Sequence, residues 1–164
     1  MSCDDSGSSL FRTVAIWSKA GVGTSLVLET KPVVGLDDGS IKNKKSTEKT
    51  KYVKGIRVVF DIGATPCFDE SIKSSIVIIS HGHIDHICAI FSHARAHVLT
   101  MGGNPATYYV PSALVTSLED ARTAMSKMDN LGSGERNLLK MNIIGVEDGD
   151  EIELKQRKFR DKTN

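Results

Sequence analysis

The chain has 164 residues, the size of one ordinary domain. Its 21 lysines and arginines against 20 aspartates and glutamates leave a net charge of +1. That balance excludes a strongly basic nucleic-acid coat and an acidic tail protein, but not a local basic patch. Hydrophobic residues make up 40% and aromatics 5%, so the expected core is Ile, Val, Leu and Ala rather than rings. No apolar run approaches the ~20 residues of a membrane helix. The opening MSCDDSGSSLFR carries two acids and no positive leading region, a poor secretory or transit signal. Cys3, Cys67 and Cys88 are odd in number and widely spaced. They predict reduced thiols in an intracellular protein, nuclear or cytoplasmic with the mitochondrion open, and neither a disulfide framework nor a cysteine-built zinc site.

In chain order, residues 12–17 and 24–29 read as two short strands joined at Gly21-Val22-Gly23, a plausible hairpin. Residues 37–54 hold six lysines and little to bury. They are expected to form a flexible surface insertion, with contact to RNA phosphates as the functional alternative. Ile56–Phe60 reads as a strand ending in Asp61-Ile62-Gly63, and a polar connection with Pro66 follows. Residues 75–79 (SIVII) have the pattern of a strand buried on both faces. Ile87, Ile90, Phe91 and Ala94 recur at three and four, which predicts one helix over Ile87–Ala96.

Thr107–Val110 reads as a strand, and Pro111 opens a helix. Leu114, Leu118, Ala121, Met125 and Met128 share a face of that helix, a stripe that core packing explains without a Met-lined groove. Gly132-Ser133-Gly134 is a break. Asn142–Val146 is a strand, 147–150 a turn, and Glu151–Leu154 the start of another strand. Residues 155–164 form a basic tail. The whole predicts an α+β domain, a mixed, mainly β sheet with helices on one outer face.

The chemistry concentrates in Ser80-His81-Gly82-His83-Ile84-Asp85-His86. All five histidines of the chain lie between His81 and His97. Extended backbone returns side chains to one side every second residue, so His81 and His83 can reach one ion. Gly82 between them leaves room and permits an unusual backbone angle. Asp85 and His86, where the chain turns into a helix, can face a second ion. Imidazole nitrogen with carboxylate oxygen suits Zn²⁺, with Mn²⁺ or Fe possible. HxHxDH arises by chance in roughly 3 of 10,000 chains of this composition, so the signal is specific. His93 and His97, at i and i+4 on the following helix, are expected to be two surface or partly buried histidines rather than a metal pair.

With these residues in place, the sequence resembles the metallo-β-lactamase superfamily. His81, His83, Asp85 and His86 match its HxHxDH signature, and Val58–Gly63 is similar to its earlier motif, a strand ending in an aspartate. The resemblance implies that Asp61 braces the histidine loop rather than ligating. Within the superfamily the chain is most similar to short-form tRNase Z. Phe60–Pro66 and Ile78–Ile87 resemble the first two motifs of that family, and Tyr109-Val110-Pro111 and Asn142–Val146 fall where its chains have them. The likeness runs from about Thr24 to Leu154. Cys88-Ala89, where the family has small glycines, and the lysine-rich insertion depart from it.

The resemblance implies an αβ/βα sandwich, two zinc ions, Asp85 as the catalytic proton acceptor, and precursor tRNA as substrate, cut to remove its 3′ trailer. It also implies later motifs with a third metal-binding histidine, a bridging aspartate and a further histidine, and an arm that grips the tRNA elbow. No histidine follows His97. Residues 1–164 therefore resemble a single partial domain, the amino-terminal half, with weak zinc retention and negligible nuclease activity expected of it alone. Two alternatives stand beside this: another hydrolase of the same superfamily acting on a thioester, lactam or phosphodiester, and a non-catalytic half that binds a partner, a second copy or a missing carboxy-terminal half through an uncovered sheet face. No membrane partner is expected.

Overall fold

The computed structural model describes residues 10–31, 33–34, 52–53, 55–129 and 139–154. β1 (Phe11–Lys19) and β2 (Gly23–Thr30) form the expected antiparallel hairpin, with a register irregularity between Thr13 and Ala15. β2 alternates strictly between buried and half-buried positions, the period of two of a strand covered on one side. β3 (Val33–Val34) and β4 (Tyr52–Val53) pair as a small separate ribbon. The rest of the lysine-rich insertion, the Gly132–Gly134 break and the tail from 155 lie outside the described residues.

β5 (Arg57–Phe60) pairs antiparallel with β2 and parallel with β6 (Ile76–Ile78), which is parallel to β7 (Ala106–Pro111), itself parallel to β8 (Met141–Val146). The result is a mixed six-stranded sheet in the order β1-β2-β5-β6-β7-β8. Each parallel step is bridged by helix: α1 (Phe68–Ile72), then α2 (Ile84–Ile87) with α3 (Ile90–Thr100), then a 3₁₀ turn (Ser112–Leu114) with α4 (Val115–Asp129). Three crossovers of one hand advancing in one direction place their helices on one face. Pairing register sets the side chains beneath them. Val27, Val59, Val77, Tyr108 and Ile143 stand opposite one another from strand to strand and pack with Ile90, Ala94 and Leu118. One residue along, Ile16, Leu26, Phe60, Ile78, Tyr109 and Ile144 form an apolar row on the other face, where Ile16, Phe60 and Ile144 are exposed.

Several expectations change. The single helix over Ile87–Ala96 is two, α2 and α3, broken at Cys88-Ala89. The cause is a backbone tie: Ala89 N–H donates to the Ile62 carbonyl (3.0 Å), and Ile62 N–H donates to the His86 carbonyl (2.8 Å). The polar connection after Pro66 contains α1, too short at five residues to show a period. Glu151–Leu154 forms no strand; the Glu147–Asp150 turn closes on itself through Asp150 N–H to the Glu147 carbonyl and Glu147 N–H to Asp150 Oδ2. The apolar stripe of α4 reaches the core only at its start. Leu118 is buried, but Met125 and Met128 are 40% and 60% exposed and line an open cavity of about 330 Å³ with Phe91, Arg95 and Leu139. No described helix is long and apolar enough to cross a membrane.

His93 and His97 are not surface or partly buried residues: both are fully buried. Each meets a carbonyl at the end of α1. His93 Nε2 donates to Ser71 O (2.9 Å), and His97 Nδ1 donates to Ile72 O (2.7 Å). Both carbonyls belong to the last turn of α1, and Ser71 O also accepts the Ser74 N–H just beyond it (2.9 Å). With Nε2 protonated, His93 Nδ1 accepts the Tyr108 hydroxyl proton at 2.7 Å. Burial pushes the His93 pKa down from 6.5 to about 4, partly countered by the Ser71 bond and assisted by neighbouring His97. Burial likewise pushes the Tyr108 hydroxyl up, so it remains a donor.

A histidine neutral in the fold but titrating near 6.5 when unfolded contributes stability that is whole above that pH and is lost as pH falls toward 4. The amount is about 3 kcal/mol. Denaturant unfolding from pH 7 to 4 is expected to show His93→Leu less stable by about 2 kcal/mol at pH 7, where the buried Tyr108 hydroxyl loses its acceptor. Its loss on acidification should be smaller than wild type by about the linkage amount.

Candidate metal centre

The site forms where β5 and β6 end. Being parallel neighbours, they bring Asp61, just after β5, and the Ser80–His86 loop, just after β6, to one edge of the sheet. β2 runs antiparallel to β5, so the β1–β2 turn arrives at the same edge. Asp61 has a positive φ of 57°, a left-handed conformation that aspartate tolerates better than most residues. This turns its carboxylate toward the loop. Oδ1 accepts the Ser80 N–H (2.8 Å) and the Ser80 hydroxyl (2.9 Å), and Oδ2 accepts His86 Nδ1–H (2.8 Å).

These bonds assign tautomers. A carboxylate only accepts, so His86 carries its proton on Nδ1 and presents a lone pair at Nε2. The Ser80 hydroxyl gives its proton to Asp61, so His81 Nδ1, 2.9 Å from Ser80 Oγ, donates to it. His81 thereby also presents Nε2 as a lone pair. The His81 ring lies between the other two, 3.9 Å from the His86 centroid and 4.5 Å from that of His83. His86 Nε2 faces Asp85 Oδ2 at 3.7 Å, a lone pair against a carboxylate oxygen. Burial acts to raise the Asp85 pKa. The amides of Gly21 and Asp85 itself, with the neighbouring imidazoles of His86 and His83, outweigh it and hold the carboxyl below its usual range.

The donor set fits a divalent ion in kind: two Nε2 lone pairs fixed by hydrogen bonds on the far ring nitrogen, a third imidazole and a carboxylate. Its placement is tighter than that of a liganded site. The rings touch one another, and among the described residues no three His, Cys, Asp or Glu side chains form a group that could hold an ion. His93 and His97 stand apart, taken up by α1 and Tyr108. Gly82 has no positive φ. What its missing side chain admits is Leu114, whose Cδ2 would lie 2.9 Å from a Cβ there. Gly63 is more constrained: a Cβ would sit 1.9 Å from the Asp85 carbonyl oxygen and 2.6 Å from Thr24 N. The sequence placed Ser80 before the first histidine but carried no sign that its hydroxyl links Asp61 to His81. It was silent on Gly21, which meets Asp85 across 64 positions.

No family model matches the chain, and no solved structure matches it. It is similar to tRNase Z TRZ1 of Arabidopsis thaliana, 27% identical over 143 residues. The match covers 83% of this chain and 45% of that protein, so the chain spans less than half the length of this relative.

Asp61→Ala is expected to cost about 2–3 kcal/mol by leaving Ser80 and His86 donors without an acceptor. Asp61→Asn keeps an acceptor for Ser80 and tolerates the backbone, but turns an amide N–H toward His86 Nδ1. The His86 proton is then expected on Nε2, read from ¹⁵N shifts; an unchanged tautomer would contradict the assignment.

Proposed function

We propose that the chain carries part of the active site of a zinc-dependent endoribonuclease of metallo-β-lactamase fold, one that acts on precursor tRNA to remove its 3′ trailer. The observation that carries this reading is the Asp61 network, which fixes His81 and His86 with their ligating nitrogens free beside His83 and Asp85. The likeness to tRNase Z TRZ1 supports the choice of RNA over a thioester or lactam.

His81 and His83 would hold one zinc, and Asp85 and His86 the other, with Mn²⁺ or Fe as substitutes. Ions held there would supply Lewis-acid stabilisation of the scissile phosphate and an activated hydroxide. The chain's own part is to orient donors and to move a proton. Asp61 holds the His86 ring and the loop backbone in one arrangement. Asp85, whose carboxylate accepts the Gly21 N–H, would take the proton of the attacking water at a carboxylate oxygen. The remaining ligands and a tRNA-gripping arm would come from residues outside this chain, since a second copy would bring the same incomplete set. Four donors of a larger set hold metal weakly, because affinity depends on a complete, preformed geometry.

Equilibrium dialysis of residues 1–164 against Zn²⁺ tests the metal half. Weak uptake is expected, reduced about tenfold or more in His83→Ala. Absence of uptake by the wild type would overturn the reading. Precursor tRNA tests the rest: the chain alone is expected to release no trailer above a chelator control, and ready cleavage would refute the half-site reading. In a longer form containing these residues, Asp85→Ala is expected to lower trailer release by about a hundredfold.

A further inference from the structure

The β1–β2 turn lies far from the histidine loop in sequence but touches it directly. Val22 N–H donates to the Lys19 carbonyl (2.9 Å) and closes the turn, with Gly21 at a φ of +70°. Gly21 N–H then donates to Asp85 Oδ2 at 3.2 Å. This is the same oxygen that faces His86 Nε2. The turn is held there by backbone contact rather than side chains. Gly63 N–H donates to the Thr24 carbonyl (3.0 Å). A Cβ on Gly23 would sit 2.1 Å from the Ala64 carbonyl oxygen, as one on Gly63 would meet the Asp85 carbonyl. Three segments of bare backbone thus interlock: the hairpin end, the loop after β5 and the chain at Asp85.

We infer that the β1–β2 turn is a positioning element for the proposed metal centre, its Gly21 amide restricting the rotamers of the Asp85 carboxylate that the metal reading assigns as a ligand. This rests on the metal reading given above and adds the group that aims its single carboxylate donor. Asp85 is half-buried and sits at the start of a four-residue helix. Without the amide its side chain is free to take other rotamers, and each lost orientation lowers affinity for the ion. Outer groups of this kind change metal affinity about 10- to 100-fold. Glycine suits the position because of its φ, and asparagine is the other residue that keeps both that φ and the amide.

The test is zinc affinity of the full chain, read by competition with a chromophoric chelator. Gly21→Asn is expected within about twofold of wild type, since the donor stays. Replacing only the Gly21 amide by an ester, through incorporation of glycolic acid, removes the N–H without disturbing φ and is expected to weaken zinc about tenfold. In an Asp85→Ala background the same ester is expected to have no further effect. An equal loss there would mean damage to the hairpin and would overturn the inference. A metal-free readout accompanies it: the Gly21 amide proton is expected to shift and exchange faster in Asp85→Ala, and an unmoved resonance also overturns the contact. Zinc affinity unchanged by the ester sinks this inference alone. A wild-type chain with no zinc affinity sinks the metal reading and this inference together.

Discussion

The carboxylate of Asp61 is where three parts of the chain meet: the end of β5, the end of β6 and the short helix that follows the histidine loop. It accepts from the Ser80 backbone, the Ser80 hydroxyl and the His86 ring. A residue that could not adopt a positive φ would point its side chain elsewhere, and one that could not accept at both oxygens would leave a part-buried donor unpaired. Sheet topology makes the meeting possible, because β5 and β6 are parallel and end side by side. The tautomers of His81 and His86 then follow from elementary donor and acceptor accounting.

Much of this was legible in the residues. The strands were readable because β-branched runs alternate, as in β2, or stay apolar throughout, as in β6. The histidine loop was readable because its spacing is rare. The break between α2 and α3 was not, since its cause is the pairing of Ala89 and Ile62 across 27 positions, a tertiary contact that overrides helical periodicity. Nor was α1, which is too short to leave a pattern. Glu151–Leu154 alternates like a strand but forms none, as alternation alone supplies no partner.

The two buried histidines show the same limit from another side. From sequence they are polar residues on a helix, and solvent is their natural place. In the fold they donate to carbonyls of the last turn of α1, groups that a helix of any length leaves without a partner inside it. They fasten α3 to α1, and so hold from below the helix that continues out of the histidine loop.

That fastening bears on how the loop can be handled. Acid acts on His93, whose neutral ring is part of the scaffold. Lowering the pH thus loosens the seating of α3 on α1, the foundation beneath the histidine loop. Were that loop to hold an ion, as proposed, a chelator used near neutrality would remove it and leave the foundation intact.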